Sequence, residues 1–428
     1  MDTANELIDF ISQSPSPAHV VDTSEMRLMK SGFEKLFMDR QWKLRAGGKY
    51  FVSVYGTALL AFTIGNERGQ LRMAAAHTDF PCFHLKPSAG ITKDGYGSLN
   101  VESYGGLMLR TWLDRPLSLA GRVAIRGTDP FNPEIRLVDF SQPILTIPSL
   151  AIHMDREVND KGELNPQKDM LPVAALFGRN AETDGADFLL EWIASGLGVS
   201  SRDILSYELS TYPWEKGLVM GLGREFISSP RLDNLTSVMA CLEGICSSVP
   251  ERGIHLIALF DNEETGSRTK QGAGSMILET ALKRIYKAMG YSDEDRWADT
   301  ASGFLLSVDV AHGLHPNHSD KCDPTNRPIL GAGVVLKQAA SQAYAGDTEA
   351  IAVIRGLCEA HDIAFQTFVN RSDIRGGSTL GSIASTMVPI RTMDIGVPIL
   401  AMHSARELMG RDDQRALIRL LQVFFEQD

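Results

Sequence analysis

The chain has 428 residues, of which 43% are hydrophobic and 22% are charged, and this length favours two domains over one. Its formal net charge of −11 argues against nucleic acid as a partner, because phosphate binding needs clustered lysine and arginine. The sequence has no window near the roughly 18 uninterrupted apolar residues that a membrane span requires, so no membrane partner is expected. The five cysteines are scattered and form no CxxC pair, which argues against a disulfide framework and a thiolate metal site.

The N-terminal part of the sequence predicts two helices followed by three strands. Residues 6–12 and the longer amphipathic run 18–36 have helical spacing and are separated by a Ser/Pro break. Residues 49–56, 58–65 and 71–79 have strand composition and are separated by turn residues. The first residues are acidic and amphipathic, not basic and then apolar, so we expect no secretory signal and a cytoplasmic protein.

The sequence changes in character between residues 87 and 229. Short β-like runs such as LAGRVAIRG and IRLVDF alternate there with Gly, Pro and Asp turns, without long helices between long apolar strands. This pattern predicts a β-rich domain over 87–229, inserted into a second domain formed by 1–86 and 230–428.

The rhythm of alternating strands and helices returns after Pro230. Helical spacing is found over 234–247, 274–289, 348–360 and 412–425, and strand-like apolar runs over 254–260, 304–310, 363–369 and 398–402. Strands that alternate with helices of this length predict an α/β fold with a mostly parallel sheet flanked by helices.

Five short polar clusters follow apolar runs, at the points where buried strands should end: AAAHTD, SPRLDN, LFDNEETGS, LLSVDVAH and LAMHSARE. Open α/β sheets place their sites at the carboxyl ends of strands, so these side chains are candidates for one site. Each cluster alone has an ordinary alternative, since His77 could be a core histidine, Asp233 a helix N-cap and Glu263 part of a solvated turn. Their joint occurrence indicates a metal centre.

The five candidate ligands suit a centre with two divalent metal ions. Two such ions about 3.5–4 Å apart can polarise a carbonyl and generate hydroxide near neutral pH. Asp233, at a strand-to-helix turn, suits a carboxylate that bridges both ions. His77 and Asp309 would complete one ion, and Glu264 and His403 would complete the other. Nitrogen and oxygen donors without thiolates suit zinc, with manganese or cobalt as alternatives.

Two further carboxylates have roles that do not require metal ligation. Adjacent residues on an irregular turn can point to different neighbours, so Glu264 can bind metal while Glu263 acts as the general base toward a water. Asp79 lies two residues after His77, on the same face if the strand continues. We expect Asp79 to accept the second ring N–H of His77 and thereby to fix its tautomer.

These motifs resemble those of the aspartyl aminopeptidases, a branch of the di-zinc metallopeptidases. The resemblance covers nearly the whole chain and includes, in order, AAHTDFPC, TWLDRPLSLAGRV, LAIHMDR, SPRLDN, DNEETGS, SVDVAHGLHPN and DIGVPILAMHSARE. It implies a di-zinc aminopeptidase fold and the removal of an N-terminal Asp, or less readily Glu, from peptides with a free N-terminus. It also implies a homo-oligomer, with the dodecamer as the expected form.

In this family, the positions that match the five candidate ligands and Glu263 have the roles given above. The resemblance adds four substrate-binding residues. His153 matches a histidine that reaches from the inserted domain into the active site of a neighbouring subunit. His312, Lys337 and Tyr344 match positions that contact the substrate, and the Lys337 ammonium is the expected partner of the acidic side chain. Without the family, Lys337 would be taken as a snorkelling side chain.

One departure from the family pattern bears on specificity. The sequence has Arg375, Gly376 and Gly377 where the family usually has Pro-Cys-Gly, a change expected to support the acidic preference or to alter the pocket. Two alternatives stay open: a related metallopeptidase of neutral or other N-terminal specificity, and a metal-binding oligomeric assembly or cargo protein. Lys337 argues against the first, because a hydrophobic pocket has no use for it. Glu263 argues against the second, because metal binding needs no base.

Overall fold

A computed structural model describes residues 2–178, 185–374 and 376–427, which fold as two compact units. The α/β unit comprises Met1–Asp79, Gly217–Met402 and Glu407–Asp428, and the β-rich unit comprises Phe80–Lys216 and His403–Arg406. Compactness therefore divides the chain after Asp79 and after Lys216. The domain divisions after residues 86 and 229 that composition favours stay a prediction.

The helices of the described residues lie mainly in the α/β unit. In chain order they are α1 (Thr3–Ser12), α2 (Pro17–Lys30), α3 (Val158–Lys161), α4 (Pro166–Asp169), α5 (Gly185–Leu197), α6 (Leu232–Ser247), α7 (Ile277–Met289), α8 (Asp293–Ser302), α9 (Thr348–Ala360), α10 (Leu380–Met387) and α11 (Arg411–Glu426). Within the described ranges, none of these helices is both long and apolar enough to cross a membrane.

The strands of the described residues form three sheets. In chain order they are β1 (Glu34–Leu36), β2 (Lys49–Val54), β3 (Ala58–Ile64), β4 (Glu67–His77), β5 (Cys82–Lys93), β6 (Tyr96–Tyr104), β7 (Leu117–Asp129), β8 (Asn132–Asp139), β9 (Val173–Leu176), β10 (Ile204–Pro213), β11 (Leu218–Met220), β12 (Phe226–Ser229), β13 (Arg252–Phe260), β14 (Phe304–Val308), β15 (Ala311–His312), β16 (Val334–Gln338), β17 (Phe365–Val369), β18 (Arg391–Gly396), β19 (Pro398–Leu400) and β20 (Glu407–Gly410).

The largest sheet of the α/β unit has the order β1-β2-β3-β13-β4-β14-β18-β16-β17. Its central strands β13, β4, β14 and β18 run parallel, whereas β3 and β16 pair antiparallel on either side of them. Met73 and Ala75 of β4 pack in one hydrophobic cluster with Leu282 and Ile285 of α7, and α6 also packs on β4. The predicted α/β fold, with helices flanking a sheet whose centre is parallel, is confirmed.

A smaller sheet of the same unit has the order β11-β12-β20-β19-β15. β12 pairs antiparallel with β20, and β20 pairs antiparallel with β19. This sheet joins segments that are far apart in sequence, because β12 precedes α6 and β20 precedes the last helix, α11.

The β-rich unit is built on a six-stranded antiparallel sheet with the order β8-β7-β10-β5-β6-β9. Alternate residues of β7, among them Leu117, Leu119 and Val123, enter one hydrophobic core. Helix α5 was not predicted from the sequence. It packs on β5 and adds Leu189 and Ile193 to this core, four residues apart and so on one helical face.

The second predicted helix ends earlier than expected. α2 begins after the N-cap Ser16 and ends at Lys30, so the prediction of helix to Leu36 is wrong. Gly32 has a φ of 82°, in the left-handed region that commonly ends helices. The residues beyond it form β1, which pairs parallel with β2.

Candidate metal centre

Parallel strands of the α/β unit end at one edge of the large sheet and carry candidate ligands there. His77 is the last residue of β4, and Asp309 follows the last residue of β14. Glu263 and Glu264 begin a short 3-10 helix soon after β13 ends. Because Phe260 of β13 is paired in register with His77, these strand ends come together.

Asp233 lies in the first turn of α6, where the backbone departs from helical geometry. Its φ and ψ are −77° and 106°, and the Asp233–Asn234 peptide bond is cis. The Asn234 side-chain amide donates a hydrogen bond of 2.9 Å to the carbonyl of Val308, the last residue of β14. This bond links the turn that carries Asp233 to the strand that precedes Asp309.

His77, Asp233 and Asp309, together called the donor cluster, have the spacing of ligands around a metal ion. His77 Nε2 lies 3.4 Å from Asp233 Oδ1 and 3.6 Å from Asp309 Oδ1. Donors bound tetrahedrally at about 2.0–2.2 Å from zinc stand about 3.3–3.6 Å from one another. A second group, His77 with Glu263 and Glu264, also places its donor atoms within 4.8 Å of one another. The residues present therefore fit a divalent cation.

The charge of the cluster is also that of a cation site. Burial opposes the charged form of His77, but the carboxylates around the ring raise its pKa well above the usual value. These carboxylates are Asp233, Asp309 and Asp79. Burial raises the pKa of Glu263 to about 8, and the same carboxylates add to this shift while His77 opposes it. Carboxylates that attract a proton to a buried imidazole will also attract a metal ion there.

Asp79 contacts both His77 and the glutamates. The ring Nδ1 of His77 lies 3.0 Å from the main-chain carbonyl of Asp79 and 3.4 Å from its carboxylate. Because a carbonyl only accepts, Nδ1 donates a proton to it, and Nε2 is the ring atom that faces Asp233 and Asp309, where a metal ion would take the place of a proton. The carboxylate of Asp79 accepts the main-chain N–H groups of Glu263 and Glu264, both at 3.1 Å. Sequence reasoning missed this second role of Asp79.

Lys337 lies in β16 and is only 1% exposed. Its ammonium donates to the carbonyl of Val310 at 3.0 Å and lies 3.5 Å from Asp309 Oδ2. It also lies 5.2 Å from the centre of the Tyr344 ring. Burial opposes its charge, but Asp309 and Asp394 raise its pKa, so the ammonium is a buried positive charge beside a candidate ligand.

The other predicted substrate-binding residues lie in different environments. Tyr344 is buried and His312 is exposed, and both rings are near Phe368, with centroid distances of 6.1 and 5.9 Å. His153 lies in an exposed turn of the β-rich unit. Arg375, whose effect on specificity was left open, lies outside the described residues.

His403 belongs to the β-rich unit, at the start of its short second segment. Its φ of 66° is in the left-handed region, and its carbonyl accepts the N–H of Met108 at 3.1 Å. Its ring Nδ1 lies 3.1 Å from the carbonyl of Gly106 and so donates to it. As in His77, a proton on Nδ1 makes Nε2 the ring atom that could bind a metal ion.

A buried histidine and carboxylate donor set at the carboxyl ends of parallel strands, beside a glutamate with a raised pKa, is typical of a metal-dependent hydrolase. A profile of the family described as aminopeptidase I zinc metalloprotease (M18) matches residues 10–425. The chain belongs to this M18 family. It is therefore a metallo-aminopeptidase, and membership of a zinc metalloprotease family implies that it uses a divalent metal ion.

Relatives and solved structures agree with this assignment. A Clostridium novyi protein named "Probable M18 family aminopeptidase 2" is 44% identical over 426 residues, which are 99% of this chain and 98% of that protein. A chain in the cryo-EM structure of the Ape4 and Nbr1 complex has a TM-score of 0.94 and 32% identity, with 99% of this chain and 85% of that chain covered. The S. cerevisiae mApe1 dodecamer gives a TM-score of 0.85 and 27% identity, with 100% and 97% covered. The predicted family and fold are confirmed.

Proposed function

We propose that the chain hydrolyses the N-terminal peptide bond of peptides that begin with an acidic residue, Asp in preference to Glu. The donor cluster around His77 is the observation that supports metal-dependent hydrolysis. The buried charge of Lys337 supports the acidic preference. The substrates would be small peptides with a free N-terminus.

The proposed centre holds two divalent ions per subunit, zinc in the first place, with manganese or cobalt as alternatives. His77 and Asp309 would hold one ion, and the spacing of their donor atoms supports this pair. Glu264 and His403 would hold the other ion, and Asp233 would bridge the two. When bound, the ions would polarise the scissile carbonyl and lower the pKa of the attacking water.

Glu263 acts as the general base and then as the general acid. Its main-chain N–H is held by Asp79, as is that of Glu264, and its carboxyl group lies within 4.8 Å of donor atoms of His77 and Glu264. It would take the proton of the attacking water at its carboxylate oxygen and return it to the nitrogen of the leaving amine.

The acidic preference depends on Lys337. A buried ammonium beside the reacting centre attracts an acidic side chain more strongly than an apolar one. A preference for neutral residues is the alternative, and the existing bond from Lys337 to Val310 favours it. The values of kcat/KM for Asp-, Glu- and Leu-p-nitroanilides decide between an acidic and a neutral preference. We expect the Asp substrate to rank first and Glu second, and a clear preference for Leu would refute the acidic assignment.

We propose further that the subunits form a dodecamer in which His153 of one subunit acts at the active site of another. It would steady the developing oxyanion as a hydrogen-bond donor. The solved mApe1 structure described as a dodecamer and the exposed position of His153 support this. Sedimentation velocity with activity measured across the peak tests it, and a fully active monomer would contradict it. The cytoplasmic location expected from the N-terminal residues stays a prediction.

A further inference from the structure

Glu407 contacts the backbone of Asp233 and is not among the residues that the sequence assigns to the site. It is the first residue of β20 and is only 2% exposed. Its Oε2 atom accepts the main-chain N–H of Asp233 at 3.0 Å. A buried carboxylate thus contacts a candidate metal ligand that lies 174 residues away in sequence.

The amide of Asp233 needs an acceptor from outside its helix. The first N–H groups of a helix have no intrahelical partner, and a side-chain oxygen at the N-cap normally satisfies one of them. The N-cap of α6 is Arg231, and a guanidinium has no acceptor to offer. Asp233 also has a non-helical ψ of 106°, so the helix alone does not fix its direction. The bond to Glu407 supplies that restraint.

The smaller sheet of the α/β unit holds Glu407 in turn. β20 pairs antiparallel with β12, and Glu407 stands directly opposite Ser229 in that ladder. Ser229 shortly precedes Asp233, so the strand pairing sets the distance between the carboxylate and the amide. On its other side, Asp233 is followed by Asn234, whose side chain is bonded to Val308. Hydrogen bonds to two distant strands therefore hold the turn that carries Asp233.

We propose that Glu407 is a positioning residue of the metal centre. By holding the Asp233 amide, it fixes the Asp233 carboxylate where that group can bridge two ions. This inference rests on the bridging role given to Asp233 in the proposed function. The property that matters is the length of the Glu407 side chain, called its reach, because its acceptor oxygen must extend from β20 to the amide of Asp233. Aspartate is one methylene shorter and loses this reach, whereas glutamine keeps both the reach and an acceptor oxygen.

The test compares Glu407→Asp with Glu407→Gln in the full chain. Zinc affinity and stoichiometry are measured by competition with a chromophoric chelator, and the visible spectrum of the Co²⁺-loaded protein reports the ligand geometry. We expect Glu407→Asp to weaken zinc binding about 10- to 100-fold, as loss of an outer-shell partner usually does, and to change the cobalt spectrum. Glu407→Gln should bind zinc more tightly than Glu407→Asp and keep the wild-type spectrum.

Asp413 provides a matched control in the same unit. It is fully buried and accepts the main-chain N–H groups of Gly331 and Gly333 at 2.7 and 2.8 Å. Asp413→Ala should lower the melting temperature of the chelator-treated protein but leave zinc affinity and the cobalt spectrum unchanged. Equal loss of zinc in Asp413→Ala and Glu407→Asp would overturn the proposal, because it would assign both effects to general destabilisation.

Two other results would also overturn the positioning role. One is wild-type zinc affinity and spectrum in Glu407→Asp. The other is tighter zinc binding by Glu407→Asp than by Glu407→Gln, because that order would assign the effect to charge and not to reach. Should Glu407→Asp fail to fold, Glu407→Leu keeps a similar volume, removes the acceptor and is expected to give the same weakening.

Asp233→Ala separates a failure of this inference from a failure of the proposed function. Loss of zinc in Asp233→Ala, together with wild-type binding in Glu407→Asp, would overturn the positioning role alone. Wild-type zinc stoichiometry and affinity in Asp233→Ala would overturn the bridging role and this inference with it.

Discussion

Two buried histidines lie on the paired strands β4 and β13, and the charges around them differ. His77 is the last residue of β4, and His255 lies near the start of β13. His77 is surrounded by carboxylates that raise its pKa despite its burial. His255 packs against Phe425, with ring centroids 5.1 Å apart, and burial together with the Arg72 cation lowers its pKa to about 3. Burial alone therefore does not make a histidine a metal ligand. Anionic neighbours distinguish the two histidines, because they stabilise positive charge at the His77 ring.

The largest expected effect comes from removing the base beside His77 while keeping the donors. In Glu263→Gln, kcat should fall about 10²- to 10⁴-fold, because an amide cannot accept the proton of the attacking water. Zinc content should stay unchanged. Steady-state kinetics with Asp-p-nitroanilide and metal analysis of the same sample measure both. Unchanged turnover would refute the proposed role of Glu263 as the base.

The two histidines can be compared directly by replacing each one. Loss of an outer-shell partner can weaken metal binding about 100-fold, and His77→Ala should weaken zinc binding by more than that. His255→Leu, at an equally buried position of the neighbouring strand, should leave zinc affinity at the wild-type value. Dialysis against zinc buffers followed by metal analysis gives both affinities. Similar zinc loss in the two variants would contradict the distinction between a ligand and a core histidine.

A smaller effect is expected from the buried Lys337. Lys337→Met should lower kcat/KM for Asp-p-nitroanilide about 10- to 150-fold, because a charge-assisted hydrogen bond contributes about 1.5–3 kcal/mol. The loss for Leu-p-nitroanilide should be smaller, so the ratio of the two values should fall. An unchanged ratio would mean that Lys337 supports Asp309 through their 3.5 Å contact and does not select the substrate.

The smallest effect concerns His255 and the pH dependence of stability. Its pKa of about 3 in the folded chain lies below the ordinary value of 6.5, so the unfolded chain binds more protons between these pH values. The contribution of His255 to the free energy of unfolding is therefore highest above pH 6.5. It falls as the pH is lowered, by about 2 kcal/mol at pH 5. His255→Leu should remove this loss. Urea unfolding of both proteins at pH 7 and pH 5 measures it, and equal losses would show that His255 is not buried as a neutral ring.

The strand ends that carry the candidate ligands are predictable, because these polar residues lie where apolar runs end. The runs that end at His77 and before Glu263 are buried central strands, and parallel pairing brings their carboxyl ends together. Apolar composition therefore locates the strands, and the polar residues after them locate the site. The same local logic fails for the end of α2, where Gly32 stops a helix whose amphipathic spacing continues.

The contacts that hold the ligands were not predictable in the same way. The bond from Asp233 to Glu407 depends on the register between β12 and β20, which no local pattern encodes. The burial of Lys337 depends on its reach to the carbonyl of Val310. The carboxylate of Asp79 meets main-chain amides of a turn that follows a different strand. Each of these contacts comes from tertiary packing between distant segments.

The carboxylate of Asp79 couples the backbone positions of Glu263 and Glu264, because it accepts a hydrogen bond from each. Since both main-chain amides converge on it, a fluctuation that frees one of them loosens the other. In hydrogen–deuterium exchange, we expect the two amides to exchange slowly and at similar rates, and widely different rates would show that they open separately. In evolutionary terms, the residue proposed to move protons and the residue proposed to bind metal share one anchor, so a substitution of Asp79 is expected to affect both.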